Sequence, residues 1–257
     1  MTKALFIIDP QNDFIDAPNN PGSLAVPGSF EDMQRLSTYI KKGNFDKIFV
    51  SLDTHAVLDI AHKSWWVNDQ GAHPADFTNI TVEDVVQGVW RAVQMPEHSL
   101  YYVQELAKQG KYNLTLWPDH CIKGTKGHAV QKDVAKALMG KHVEYVVKGT
   151  NPKTEHYSAL KAEVVLGPDT ALNTTLIDAL DSYYSIEIAG EALSHCVAST
   201  VRDLIANISN VGKVSLLTDT MSPVPGFEPQ ARKFLIDMAR QGVSLKTTSA
   251  PKNYRGF

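Results

Sequence analysis

The chain has 257 residues, of which 43% are hydrophobic and 21% are charged, with a formal net charge of -3 at pH 7. A chain of this length and composition can bury one substantial core, and we expect a single domain over residues 1–257. The weak net charge gives no general attraction to nucleic acid or to an anionic membrane surface. Nucleic-acid-binding proteins and membrane-surface proteins are therefore not the expected classes.

The amino terminus, MTKALFIIDPQNDF, contains an apolar run that is too short for a secretory signal, and no segment approaches a membrane-spanning helix. The chain has two cysteines, Cys121 and Cys196, in unlike sequence contexts. This usage argues against a disulfide framework and is typical of a reducing compartment. We therefore expect a cytoplasmic protein.

Five short runs rich in β-branched residues each end abruptly in a polar residue. Continuous apolar runs of this length are typical of strands that are buried on both faces. The runs, with their final residues, are KALFIID (Asp9), KIFVSLD (Asp53), VEYVVK (Lys148), SIEIAGE (Glu191) and KVSLLTD (Asp219).

Segments with helical spacing lie between these runs. They cover residues 30–42, 129–139, 174–182, 196–207 and 228–241, with a further short helix at 97–109. This alternation predicts a mostly parallel sheet with helices on both sides. The stretch from about residue 63 to residue 113 breaks the alternation, because it is rich in Trp, His, Asp and Gly. It has too little apolar periodicity for its own core, so we interpret it as an insertion or long excursion.

In parallel sheets, ligands bind beyond the carboxyl ends of the strands. Asp9, Lys148 and the turn that leads to Cys196 are predicted to lie there. Cys196 stands where a helical pattern begins, and a helix N-terminus lowers the pKa of a thiol and offers N–H groups to an oxyanion. Asp9 can supply the proton acceptor, and Lys148 a compensating charge.

A second group of residues has the composition of a metal site. Asp53 and His55 are two residues apart after a predicted strand, and His120 in WPDHC can complete a mixed set of ligands. Such nitrogen and oxygen ligands suit Zn, Fe, Mn or similar divalent metals. The pattern is short, and a surface histidine beside a turn aspartate is the alternative interpretation.

Five motifs occur in the order found in nicotinamidases, which belong to the isochorismatase-like cysteine hydrolase superfamily. They are FIIDPQNDF, DTH followed by a histidine, LWPDHCIKGT, VVKGT with HYSAL, and GEALSHCVAST, and they extend from residue 4 to about residue 205. The chain thus resembles this family over most of its length. The resemblance implies a three-layer α/β/α sandwich with a mainly parallel six-stranded sheet.

The same resemblance assigns roles to individual residues. It implies a catalytic trio of Asp9, Lys148 and Cys196. It also implies a cis peptide bond at Glu191–Ala192, with the N–H groups of Ala192 and Cys196 as the oxyanion hole.

The family's metal ligands correspond to Asp53, His55 and His120, and the ion in nicotinamidases holds the pyridine nitrogen of the substrate. Zinc is the expected ion, with iron or manganese as alternatives. His62 lies near the position of a further ligand, but it follows His55 by seven residues, a longer gap than nicotinamidases usually have. His73 is therefore a rival ligand or a lid residue. Aromatic positions that flank the substrate in the family correspond to Phe14, Trp117 and Tyr157.

The resulting hypothesis is a cysteine amidohydrolase with a thioester intermediate, which converts nicotinamide and water to nicotinate and ammonia in NAD salvage. We expect a small-molecule amide as its substrate and a homo-oligomeric assembly. A related hydrolase of another small amide, carbamoyl or ureido compound is the nearest alternative. Two alternatives come from other classes: a noncatalytic ligand-binding member of the fold, and a metallohydrolase in which Cys196 is only packed.

Overall fold

The computed structural model describes residues 1–110 and 112–249. Six strands form its central sheet: β1 (Lys3–Ile8), β2 (Lys47–Asp53), β3 (Val143–Lys148), β4 (Ser185–Gly190), β5 (Val214–Leu217) and β6 (Ser244–Lys246). All neighbouring strands are parallel, in the order β6-β5-β4-β1-β2-β3. The carboxyl ends of all six strands therefore lie at one edge of the sheet.

Helices connect and cover these strands. They are α1 (Ser29–Lys42), α2 (Val82–Val86), α3 (Pro96–Gln109), α4 (Lys132–Leu138), α5 (Thr174–Asp181), α6 (Ala198–Ile205) and α7 (Glu228–Arg240). Two short antiparallel strand pairs lie in or beside the excursion, Trp66–Val67 with Arg91–Ala92 and Asn79–Ile80 with Leu114–Thr115. None of the helices in the described ranges combines the length and the apolar character that a membrane span requires.

Alternate residues of β1 point to opposite faces of the sheet, which produces the three layers. Leu5 and Ile7 pack in one hydrophobic cluster with α1 and α4. Phe6 and Ile8 pack in a second cluster with α5, α6 and α7. Because both faces of β1 are covered, its sequence is apolar from Ala4 to Ile8. The expected α/β/α sandwich is confirmed.

A strand and a helix start differ from the sequence prediction for local reasons. Strand β6 had not been located, because it is a short, exposed edge strand with no apolar run. The helix expected from residue 129 begins at Lys132, since the side-chain oxygen of Gln131 accepts the N–H groups of Asp133 (2.7 Å) and Val134 (3.1 Å). Such a cap fixes the first turn of a helix.

The excursion packs against the rest of the chain. Trp65 and Trp66 are fully buried, and their indole N–H groups donate to Ser99 Oγ and to the carbonyl of Ile60, both at 2.9 Å. The hydrophobic cluster that contains them also includes the expected substrate-wall residues Phe14, Trp117 and Tyr157. The excursion therefore shares its core with the region beyond the strand ends.

A buried carboxyl pair lies where β4 ends. Glu191 is fully buried, and its Oε2 accepts the N–H of Ser222 at 3.0 Å. The hydroxyl of Ser222 in turn donates to Asp32 Oδ2 at 2.6 Å. Burial, and then the neighbouring Asp32 carboxylate, raise the pKa of Glu191 well above its ordinary value. Glu191 therefore keeps its proton in the folded protein at pH values where the unfolded chain has lost it.

This raised pKa makes the effect of Glu191→Gln depend on pH. The protonated carboxyl stabilises the wild type fully below the unfolded pKa of Glu, and this contribution is lost as the pH rises toward the folded pKa. Glutamine has no proton to lose, so the melting temperature of Glu191→Gln relative to wild type should rise from pH 4.5 to pH 8. Calorimetry at both pH values measures the difference, and a difference that falls with pH would contradict the assignment.

Candidate active site

Lys148 ends β3, the edge strand of the sheet, and its side chain reaches the ends of β1 and β2. Its ammonium is buried and lies 3.0 Å from Asp9 Oδ2, 2.9 Å from Asp53 Oδ1 and 3.6 Å from Cys196 Sγ. It also donates to the carbonyl of His156 at 2.7 Å. Because Asp53 pairs with Lys148 in the register of β2 with β3, the sheet itself fixes this contact. The structure thus brings the three expected catalytic side chains together.

Asp9 follows β1 directly and is fully buried. Its Oδ1 accepts the hydroxyl of Ser51 at 2.6 Å, while the backbone N–H of Asp9 donates to the same hydroxyl oxygen at 3.0 Å. Burial raises the pKa of Asp9, and the Lys148 ammonium opposes this shift. A carboxylate with a raised pKa is a better proton acceptor than an exposed aspartate.

Cys196 lies in a π-helical turn, Leu193–Val197, that precedes α6. Its thiol is buried, and burial raises its pKa well above the ordinary value; Lys148 lowers the pKa, and Asp9 raises it. The helix N-terminus is expected to lower this pKa, but the net shift is upward, because burial outweighs the opposing charge of Lys148. The thiol therefore keeps its proton in the resting protein.

The turn before the nucleophile has the expected backbone conformation. The Glu191–Ala192 peptide bond is cis. The carbonyl of Ala192 accepts the N–H groups of His195 (3.1 Å) and Val197 (3.2 Å). Ala192 and Cys196, the two expected oxyanion residues, line the same cavity.

The side chains of Asp53, His55, His62 and His120 converge beside Lys148. Asp53 Oδ2 is 3.0 Å from His55 Nε2 and 3.3 Å from His120 Nε2, and His62 Nε2 is 3.3 Å from His120 Nδ1. The donor atoms of the three histidines lie within 4.8 Å of one another. His62 thus reaches the group despite its long spacing from His55, because the backbone turns back at Asp59, whose carbonyl accepts the N–H of His62 at 3.0 Å.

His73 is not brought to this group. It is exposed, and its Nδ1 lies 2.7 Å from the carbonyl oxygen of Trp66. Among the described residues it belongs to no set of converging donor atoms. The proposal that His73 replaces His62 as a ligand therefore has no geometric basis in this structure.

The protonation of the histidines differs with their partners. Burial lowers the pKa of His55, but Asp53 and Asp59 outweigh burial and raise it well above the ordinary value. His55 Nδ1 lies 3.0 Å from Asp59 Oδ2, a contact typical of metal-ligating histidines. Burial, together with His120 and His55, lowers the pKa of His62 to about 2. His62 is therefore neutral, as a metal ligand must be.

The buried charges around Lys148 do not balance. The carboxyl groups of Asp9, Asp53, Asp59 and Glu155 are all buried in this region. Two cationic groups oppose these four carboxyl groups: Lys148, which pairs with Asp9 and Asp53, and His55, whose raised pKa favours its protonated form. Uncompensated buried charge is costly. A divalent cation held by Asp53 and the histidines would remove this excess, so the residues present fit a metal ion.

Three residues near the site were missed by the sequence reasoning. Ser51 is a polar residue inside a buried strand, and this mismatch could have identified it as a candidate site residue from the sequence. Asp59 follows His55 by four residues, and Glu155 stands between Lys148 and Tyr157. A single carboxylate in a loop has no periodicity, so nothing in the pattern distinguished these two from other loop residues.

Aromatic side chains enclose the space above Cys196. The indole N–H of Trp117 donates to Tyr157 Oη at 3.1 Å, and Phe14 packs edge-on against His120 at 5.4 Å between centroids. The enclosed cavity is only about 20 Å³. A second cavity of about 460 Å³ adjoins it and shares Tyr157 and His195 as lining residues.

No family model matches the chain. The nicotinamidase of Saccharomyces cerevisiae is 27% identical over 227 residues, which cover 86% of this chain and 88% of that protein. A nicotinamidase and pyrazinamidase from Acinetobacter baumanii has a TM-score of 0.68 at 20% identity and covers 96% of both chains. The pyrazinamidase of Pyrococcus horikoshii in complex with zinc has a TM-score of 0.58 at 19% identity, over 96% of this chain and 99% of that one.

At these identities the solved structures establish a shared fold. The curated relative adds a similarity in sequence over most of both chains, and the five ordered motifs fall within the described site. The chain is therefore nicotinamidase-like in sequence over most of its length, and it shares its fold with nicotinamidases and pyrazinamidases.

Proposed function

We propose that the protein is a nicotinamidase that uses Cys196 as its nucleophile and converts nicotinamide and water to nicotinate and ammonia. The observation that carries this proposal is the position of the Lys148 ammonium, in contact with Asp9, Asp53 and Cys196 at once. The curated relative, a yeast nicotinamidase, supports the choice of substrate. NAD salvage is the metabolic role that this reaction would serve.

In the first half of the reaction, Asp9 accepts the thiol proton as the sulfur of Cys196 attacks the amide carbonyl carbon. The N–H groups of Ala192 and Cys196 stabilise the oxyanion of the tetrahedral intermediate. Asp9 then gives the proton to the departing nitrogen, the C–N bond breaks, and ammonia leaves a thioester on Cys196.

In the second half, a water molecule attacks the thioester while Asp9 accepts one of its protons. The C–S bond breaks, Asp9 returns its proton to the sulfur of Cys196, and the product leaves as nicotinic acid, which ionises to nicotinate in water. Lys148 keeps Asp9 ionised before each proton transfer, since its charge opposes the effect of burial on the pKa of Asp9. The cycle therefore returns every group to its starting protonation state.

Asp53, His55, His62 and His120 would hold a divalent cation, for which zinc is the leading candidate because the fold relative from Pyrococcus horikoshii is a zinc complex. When bound, such an ion supplies an electrophilic centre for a pyridine nitrogen. The neutral state of His62 and the excess of buried carboxylates support this assignment.

Phe14, Trp117 and Tyr157 would form the walls around the pyridine ring. Because the enclosed cavity of about 20 Å³ is smaller than such a ring, a wall must move when substrate enters. Tyr157 and His195 line both this cavity and the larger one. We therefore expect one or both of these side chains to move when substrate binds. A cytoplasmic location and a homo-oligomeric assembly stay predictions from the sequence.

Replacement of the nucleophile tests the mechanism. Cys196→Ala should reduce ammonia release from nicotinamide by at least about 10³-fold, because no thioester can form. Nicotinamide binding, followed by calorimetry, should persist. Cys121→Ala is the matched control, since Cys121 is the other buried cysteine, and it should keep turnover. Substantial turnover by Cys196→Ala would refute the scheme.

Chelation tests the role of the cation. Metal removal should lower kcat/KM for nicotinamide by at least about tenfold, because the pyridine nitrogen loses its binding partner. Benzamide has the same ring size without that nitrogen, so its slower hydrolysis should be unaffected. Ammonia release from both amides, before and after Zn²⁺ is restored, provides the comparison. An equal loss for the two amides would instead support a metallohydrolase that activates water.

A further inference from the structure

We infer that Glu155 belongs to the metal centre, where its carboxylate binds the divalent cation directly or through one coordinated water. Glu155 lies in the loop that follows β3 and is 3% exposed. The inference rests on the metal centre of the proposed function and adds an anionic residue to it.

The backbone and one carboxylate oxygen of Glu155 are fixed by their neighbours. Its N–H donates to the hydroxyl of Tyr102 at 3.1 Å, and its carbonyl accepts the N–H of Glu163 at 2.8 Å. Its Oε1 accepts the backbone N–H of His156 at 2.7 Å. These contacts hold the carboxyl group in one orientation.

The other carboxylate oxygen, Oε2, is buried and has no hydrogen-bond partner within residues 1–110 and 112–249. Leaving such an oxygen unpaired away from water costs about 1–3 kcal/mol or more. A purely structural role explains Oε1, which holds the loop, but does not explain why the buried carboxyl group leaves its second oxygen unpaired. The unpaired oxygen therefore requires a partner other than these residues.

The position of this carboxyl group indicates a cation as the partner. One of its oxygens lies within 4.8 Å of donor atoms of both Asp53 and His55, and those two atoms lie within the same distance of each other. Glu155 also lines the enclosed cavity together with Asp53 and His120. An anionic oxygen and neighbouring nitrogen donors form the type of site that binds zinc or a similar ion.

Glu191 provides a matched comparison within the same chain. It is also a fully buried glutamate with one unpaired oxygen, Oε1. Its carboxyl group, however, contacts Ser222 and Asp32 and belongs to no set of converging metal donors among the described residues. Glu155→Gln and Glu191→Gln therefore make the same chemical change at two buried positions, and only the first should affect metal binding.

The test is a titration of metal-free protein with Co²⁺, followed by calorimetry and by the visible absorption of bound Co²⁺. Glu155→Gln should raise the dissociation constant by about 10- to 100-fold, as is typical when a supporting residue of a metal site is lost. Glu191→Gln should bind Co²⁺ as wild type does. A changed absorption spectrum would indicate direct coordination by Glu155, and an unchanged spectrum with weaker binding would indicate a bridging water.

Thermal melting of the same metal-free variants separates this role from a structural one. Glutamine keeps the Oε1 acceptor, so the melting temperature of metal-free Glu155→Gln should match wild type or exceed it. A lower melting temperature with unchanged Co²⁺ affinity would overturn the inference. That outcome would leave the nicotinamidase proposal intact, whereas a wild-type protein that binds no Co²⁺ would remove the metal centre itself.

Discussion

The site depends on one buried ammonium. Lys148 contacts carboxylate oxygens of both Asp9 and Asp53, two groups that would repel each other if they were left together without a cation. The pKa of Lys148 is raised well above its ordinary value, because the attraction of Asp53 and Asp9 outweighs the effect of burial. Each carboxylate is then available for a different neighbour: Asp9 for the thiol of Cys196, and Asp53 for the histidine cluster.

In the proposed reaction, this shared ion pair would join the bond-breaking chemistry of Asp9 and Cys196 to the binding of the substrate ring beside Asp53. Parallel strands make the arrangement possible, because the ends of β1, β2 and β3 meet at one edge of the sheet. The register of β2 with β3 sets Asp53 opposite Lys148. The proposed nicotinamidase would therefore need both halves of the network, since removing Lys148 would leave two buried carboxylates without compensation.

The sequence predicted those features that depend on repeated or ordered patterns. Buried strands appear as apolar runs, and the polar residues that end them, Asp9, Asp53 and Lys148, do meet at the rim. The family resemblance also anticipated the cis bond at Glu191–Ala192. These features follow from local chain properties or from motifs that keep their order, so they can be read without coordinates.

Other features arise only from three-dimensional packing. The position of His62 depends on a backbone turn at Asp59. The spacing between His55 and His62 in the sequence does not reveal this turn. Glu155 became significant only when its carboxyl group, which has one unpaired oxygen, was found beside donor atoms of Asp53 and His55. The pKa of Cys196 moved in the unexpected direction, because the depth of burial at a helix N-terminus is not visible in the sequence. The sequence pattern therefore did not reveal how deeply a side chain is buried or which distant residues lie beside it.

The role of the Lys148 ammonium is tested most directly by the pH dependence of Cys196 alkylation by iodoacetamide, which peptide mass spectrometry measures. Because Lys148 lowers the pKa of the thiol, Lys148→Met should move the midpoint of the alkylation profile to higher pH. Lys148→Arg keeps the positive charge and should remain closer to wild type. A midpoint that stays unchanged or moves to lower pH in Lys148→Met would contradict the central role of this ammonium.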